Sequence, residues 1–281
     1  FPKMIRSSFL LLFASTAVAL DYPHVTAEPQ KTGWPLTAEE RAYVIDKPEY
    51  ERRPGRESNK HLPQLWPQVP SAGHFGGDSW LKLHEAHVKT VQANQGPLDV
   101  LLVGDSITIQ WGESWKKHFP DLKAVNIGIG GDKTQNVLWR LDHGELEALA
   151  AAGNDIGAVV VMIGTNNSNG DENTAEEIAA GITAIVQRLR KGLPKAKVLL
   201  LSIFPRSATA DAQRAKCSAA SALAAKAFAG DDRVVCRDYA EHFVEADGSI
   251  RKETMPDFLH LSPAAYRRWS AALERDLETL R

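Results

Sequence analysis

The sequence predicts an α/β protein, a three-layer α/β/α sandwich built on a five-stranded parallel sheet. Three observations predict it. Five short apolar runs recur between residues 100 and 236, each too continuous for a strand with one wet face and suited to strands covered on both sides. Longer amphipathic stretches separate them, as the crossovers of a parallel sheet require. The residues just beyond three of these runs are rich in glycine and polar side chains, and an open parallel sheet gathers its functional groups there.

Each element follows in chain order. Lys3 and Arg6 precede an apolar run, Phe9 to Phe13, and the small residues Ala17-Val18-Ala19. Residues 1–19 therefore read as a signal peptide, with Met4 as the start and export to a secreted or periplasmic location as the expectation. That run is far short of the ~20 residues that span a bilayer, so no membrane span is expected. Residues 20–76 carry Pro23, Pro29, Pro35, Pro48, Pro54, Pro63, Pro67 and Pro70 and little periodicity, which predicts an irregular arm. Trp34 and Trp66 would rest parts of that arm on the main body. The domain itself is assigned to residues 77–281. A helix is predicted over about Asp78 to Gln92, then strands at Val100–Val103, Ala124–Ile127 and Ala158–Ile163. The helix after the third strand, Thr174 to Lys191, places Ile178, Ile182, Ile185 and Leu189 along one face. Thr174 and Glu177 form a capping-box pattern at its start, and Gly192 and Pro194 mark its stop. A strand at Val198–Leu201, a helix over Asp211–Ala229, a strand at Val234–Cys236 and a helix over Pro263–Leu280 complete the pattern, with Ser262 as the N-cap of the last.

Composition narrows the function classes. Hydrophobic residues are 43% and charged residues 24%, which excludes a disordered or collagen-like chain. With 33 Lys+Arg against 35 Asp+Glu the net charge is -2, so no basic field exists to attract nucleic acid. Two cysteines, Cys217 and Cys236, cannot build a disulfide framework, and whether they pair stays open.

The chemistry collects beyond three strands: Gly104-Asp105-Ser106-Ile107, Gly128-Ile129-Gly130-Gly131-Asp132 and Gly164-Thr165-Asn166-Asn167. A serine at a glycine-preceded strand-to-helix turn is held exposed, as a nucleophile must be. Gly77-Asp78-Ser79 repeats the three letters without a strand before it and reads as a helix N-cap. The glycines at 128–131 resemble a dinucleotide fingerprint only superficially: Lys133 occupies the third glycine position and no ribose-binding acid follows ~20 residues on, so no cofactor is expected. A glycine turn lets a backbone N–H approach a substrate oxygen, and Asn166 can aim an amide at the same point. Asp257 and His260 offer an orienting carboxylate and a base in one short loop before the last helix. His84 and His87 fall one residue short of the H-E-x-x-H zinc spacing, and no metal site is expected; both, with His242, read as surface or packing residues.

Gly104-Asp105-Ser106, Gly131, Asn166 and Asp257-x-x-His260, in that order, resemble the four motif blocks of the SGNH, or GDSL, hydrolases. The stretches Val103–Ile107, Asn126–Asp132, Val137–Leu141, Gly144–Glu147, Gly164–Asn167, Asn173–Glu177 and Asp257–Leu261 are similar in particular to the platelet-activating-factor acetylhydrolase alpha subunits and their bacterial relatives. The resemblance covers about residues 79–281 and implies the SGNH fold with its flavodoxin-like sheet. It implies Ser106 as nucleophile, His260 as base and Asp257 as its partner. It also implies an oxyanion hole of the Ser106 and Gly131 N–H groups and the Asn166 amide, and an acyl pocket limited by Ile107, Thr165 and Leu259. The expected activity is an exported serine esterase removing short acyl groups, acetyl first, from an O-acylated carbohydrate. Alternatives are a lipid acetylhydrolase, lysophospholipase or thioesterase of the same superfamily and, from another class, a glycan-binding domain without catalysis. The partner is a small acylated substrate, and a homodimer stays open.

Overall fold

The apolar runs became strands, with shifted ends. In the computed structural model, which describes residues 77–280 apart from 95, 152–154 and 172, β1 is Leu98–Gly104, β2 Ala124–Asn126, β3 Ile156–Met162, β4 Lys197–Leu201 and β5 Val234–Arg237. The signal-peptide and arm expectations, Trp34 and Trp66 included, fall outside the described residues. β1 and β3 start two residues before the expected Val100 and Ala158. β2 stops one residue early because Asn126 turns its side chain into the loop, donating from Nδ2 to the Thr108 carbonyl (2.8 Å) and accepting from the Gly128 N–H (2.9 Å).

All strand pairs are parallel and the order is β2-β1-β3-β4-β5, the flavodoxin-like order. The chain leaves β1 towards one edge and β3 towards the other. Loops after these two neighbours therefore flank the point where the winding reverses, which is where such sheets open a crevice.

The helices are α1 Gly77–Ala93, α2 Ser106–Ile109, α3 Gly112–His118, α4 Thr134–Arg140, α5 Leu146–Ala151, α6 Ala175–Gly192, α7 Ala212–Ala227 and α8 Pro263–Leu280. They form two layers because successive strand residues point to opposite faces. Leu101 and Val103 join the apolar cluster with α1, α4, α5, α6 and α7; Val100 and Leu102 join the cluster with α2, α3 and α8. Local signals set the helix ends. Thr174 Oγ1 accepts from Glu177 N–H (3.2 Å) while Glu177 Oε2 accepts from Thr174 N–H (3.0 Å), and Ser262 Oγ accepts from Ala265 N–H (3.2 Å). α7 ends two residues before the expected Ala229, since Phe228 leaves helical geometry and packs into the core. Gly77-Asp78-Ser79, expected as a cap, lies within the first turn of α1. Between α4 and α5 the chain kinks at Leu141–Glu145, where His143 (φ -119, ψ 53) and Gly144 (φ 105, ψ -27) are not helical.

The last helix is fastened to the first strand's loop. Tyr266 Oη donates to the Ile107 carbonyl (2.7 Å), Trp111 Nε1 donates to Ser270 Oγ (2.9 Å), and the Trp111 and Trp269 rings stack. Cys217 and Cys236 are both free thiols. Among the described residues no helix is long and apolar enough to cross a membrane.

Candidate active site

The β1 turn needs its glycine. A Cβ on Gly104 would stand 2.5 Å from the Met162 carbonyl and 2.0 Å from Thr108 Oγ1, so no side chain fits between β1, β3 and α2. Asp105 then caps α2, its Oδ1 accepting from the Ile107 N–H at 3.0 Å. Ser106, the first residue of α2, is half-buried.

Across the sheet edge lies the loop before α8. Phe258 takes a left-handed conformation (φ 59), which curls the chain so that Asp257 Oδ1 accepts from the N–H groups of Leu259 (3.1 Å) and His260 (2.8 Å). Its Oδ2 faces His260 Nδ1 at 2.6 Å, and His260 Nε2 faces Ser106 Oγ at 2.9 Å. A carboxylate only accepts, so Nδ1 carries the proton and Nε2 accepts from the serine hydroxyl. Burial alone would raise the Asp257 carboxyl, but the hydrogen bonds from the His260 ring and the two backbone N–H groups outweigh it and hold the group below its usual range. This arrangement lets a serine lose its proton to an oriented imidazole as it attacks a carbonyl.

The opposite wall is the loop after β2. Gly131 has φ 81, a region that glycine enters without strain. Asn166 Nδ2 donates one proton to the Asp132 carbonyl (2.9 Å), which ties it to that loop and leaves a second amide proton for another acceptor. Asn126 and the Ile129 N–H, bonded to the Gly104 carbonyl at 3.3 Å, hold the loop against the β1 turn.

The structure therefore brings Ser106, His260 and Asp257 into one chain of hydrogen bonds and joins the Gly131 loop to Asn166 through the Asp132 carbonyl. Of the three expected pocket residues, Ile107 is buried in the core and Leu259 is half-buried against it. Thr165 is buried, with its carbonyl accepting from Arg206 Nη1 (3.0 Å) and Ser168 Oγ (2.7 Å). His84 and His87 stay away from the site. His84 is buried, its Nε2 donating to the His143 carbonyl (2.8 Å) and its Nδ1 3.3 Å from Glu145; His87 Nδ1 is 3.4 Å from the same carboxylate. His242 stands near Glu241, 3.9 Å away. Among the described residues no group of three or more His, Cys, Asp or Glu could hold a metal ion.

Sequence reasoning missed the buried charges that hold the Gly131–Asp132 loop. Arg140, fully buried, donates from Nε to Asp132 Oδ2 (2.9 Å) and from Nη1 to both Glu145 oxygens (2.6 Å each), while Trp80 Nε1 donates to Asp132 Oδ1 (2.7 Å). Burial pushes Asp132 up to about 6 against the pull of Arg140. Glu145 is held well below the carboxylate range despite burial, by Arg140 and the two histidines. The one local signal was an arginine inside the apolar run Val137–Leu141. Asp105 is a further buried carboxyl: desolvation first, then repulsion from Asp132, push it up to about 7 even though the Ile107 N–H pulls the other way.

Residues 102–268 match the GDSL-like Lipase/Acylhydrolase family. The chain is 39% identical over 195 residues to platelet-activating factor acetylhydrolase IB subunit alpha2 of Homo sapiens, across 69% of this chain and 81% of that protein. It is 38% identical over 193 residues to subunit alpha1 of Rattus norvegicus, across 68% and 79%. Its fold is similar to that of a GDSL-like lipase from Bacteroides thetaiotaomicron, with a TM-score of 0.56, 18% identity, and 70% of this chain and 98% of that one covered.

Proposed function

The chain belongs to the GDSL-like lipase/acylhydrolase family and is an ester-hydrolysing enzyme, and from that premise we propose that it is an exported serine esterase removing acetyl or other short acyl groups from an O-acylated carbohydrate. The observation that carries the chemistry is the run Asp257–His260–Ser106, with gaps of 2.6 and 2.9 Å. Ser106 Oγ attacks the ester carbonyl as His260 Nε2 takes its proton, and Asp257 steadies the resulting imidazolium. The tetrahedral oxyanion is received by the Ser106 and Gly131 N–H groups and the second Asn166 amide proton. The imidazolium then protonates the departing alcohol, leaving an acyl-serine. A water, deprotonated by His260, attacks that ester; the collapse frees the acid and returns the proton to Ser106.

Short acyl groups are supported by relatives named acetylhydrolases and by Leu259, half-buried in the turn that carries His260; Ile107 and Thr165, the neighbours of Ser106 and Asn166 in sequence, are buried. Export rests on residues 1–19, and the carbohydrate on the acylated glycans that an exported esterase meets. The relatives' names favour a second reading, an acetyl ester of a platelet-activating-factor-type lipid.

Substitution and a substrate series test the proposal together. Ser106→Ala should abolish hydrolysis of acetyl esters, while Ser79→Ala, on the exposed side of α1, leaves it nearly intact; equal losses would overturn the assignment. In wild type, acetyl esters should be cleaved at least about tenfold faster than hexanoyl esters, since a misfit of one methylene is worth ~1–3 kcal/mol. Octanoyl esters as the best substrates would overturn the short-acyl reading. Acetylated glycans set against an acetylated ether lipid then decide the alcohol.

A further inference from the structure

The loop after β3 that carries Asn166 and the loop before α8 are linked by a stretch that the chemistry above leaves unused, residues 206–208 between β4 and α7. Arg206 Nη1 donates to the carbonyl (3.0 Å) and hydroxyl (3.2 Å) of Thr165, next to Asn166. The Ser207 N–H donates to the Phe258 carbonyl (2.8 Å), inside the turn that carries Asp257 and His260. The Ala208 carbonyl accepts from the Ile250 N–H (2.8 Å). Ser207 (φ 71) and Phe258 (φ 59) are the two non-glycine residues with left-handed backbone among those described, and they are bonded to each other. Side chains resist that conformation, so it persists only where the surroundings over-determine it.

Arg214, in the first turn of α7, supplies the constraint. Its Nε donates to the Arg206 carbonyl (2.6 Å), its Nη1 to the Gly248 carbonyl (2.6 Å) and its Nη2 to the Ser207 carbonyl. Its own N–H is held by Asp211 Oδ1 (2.7 Å), which fixes the root of the fork. Three carbonyls from two loops thus meet one planar cation.

We propose that Arg214 is a positioning residue for the reaction. By clamping the Arg206 and Ser207 carbonyls it holds Ser207 left-handed, and through the Ser207 N–H it sets where the turn bearing His260 stands relative to Ser106 and Asn166. The proposal rests on the Ser106–His260 reading of the site. Lysine offers a point charge and cannot meet three carbonyls in one plane, so it replaces the clamp only in part.

The test compares Arg214→Gln and Arg214→Lys with Arg233→Gln, which removes a guanidinium bonded to the Pro194 carbonyl (2.5 Å) just before β5, at the amino end of the strands and away from the site. Rates on an acetyl ester are taken per site titrated with a fluorophosphonate, so unfolded chains do not count. Arg214→Gln should lower kcat roughly 10- to 100-fold with KM within about twofold, the scale of a small misplacement of reacting groups. Arg214→Lys should fall between it and wild type, and Arg233→Gln should keep full kcat. Adding Ser207→Gly to Arg214→Lys should recover part of the rate, because glycine accepts φ 71 without the clamp. An unchanged kcat in Arg214→Gln, an equal loss in Arg233→Gln, or failure of both Arg214 variants to fold would each overturn the proposal. If Ser106→Ala kept activity, the reading of the site would fall; if Ser106→Ala is inactive while the Arg214 variants are fully active, only the role of Arg214 falls.

Discussion

Asn166 has two amide protons and one is already committed to the Asp132 carbonyl, so in the proposed mechanism the other acts from a fixed direction and needs no reorganisation when the oxyanion forms. Removing one such donor costs about 2.7–4 kcal/mol, or 10²–10³ in rate. Asn166→Ala should therefore lower kcat by that factor with KM nearly unchanged; a change confined to KM would show that the amide binds ground state and transition state alike. Asp105, beside Ser106, makes a prediction about stability. Its carboxyl is buried with Oδ2 unpartnered and is pushed up to about 7 from an ordinary 3.8. Between those values the folded chain binds the proton and the unfolded chain does not, so this group's contribution is fully present below about 3.8 and is lost as pH rises through about 7. Asn keeps the acceptor for the Ile107 N–H and is neutral throughout. Urea midpoints at about pH 4, 5.5 and 7 should show wild type losing ground to Asp105→Asn as pH rises. A constant gap would mean that the carboxyl ionises as it does in the unfolded chain.

Between α4 and α5 the kink at Leu141–Glu145 brings Glu145 back to Arg140, and Arg140 in turn holds the Asp132 loop. Removing one partner of such a buried network leaves an uncompensated charge and costs about 3–5 kcal/mol. Glu145→Gln should lower stability by that amount, read as a shift in the urea midpoint at constant slope; a loss no greater than that of an exposed control such as Glu113→Gln would show that Asp132 alone satisfies Arg140. This network also marks where sequence stops being legible. Strands announced themselves because residues covered on both faces are continuously apolar, and α6 and α8 because Thr174, Glu177 and Ser262 satisfy helix ends locally. Asp257 and His260 were readable as a pair because they share one turn. The Trp80–Asp132 and His84–Glu145 contacts were not, since they join residues 52 and 61 apart whose types carry no mark of the partner. Arg214 was invisible for a different reason: it binds carbonyls, which every residue has. The left-handed turn at Phe258 was equally hidden, because no glycine announced it.

At the scale of the whole molecule one strand serves both layers. Leu101 and Leu102 are adjacent yet belong to opposite clusters, so Leu101→Ala and Leu102→Ala should each cost about 2–5 kcal/mol in denaturant unfolding. If either were nearly neutral, that face would hold the looser layer. The same architecture places Ser106 and His260 154 residues apart, at the first strand and just before the last helix. Closing a loop that long adds little entropy cost beyond a shorter one, but contacts so distant in sequence form slowly. Recovery of esterase activity after dilution from denaturant is therefore a clock for completion of the entire sheet, and it should lag any optical signal from single helices. On the ribosome the order is imposed outright: in the proposed mechanism a nascent chain that has finished β1 carries an idle Ser106 until the turn bearing His260, 154 residues later, has emerged.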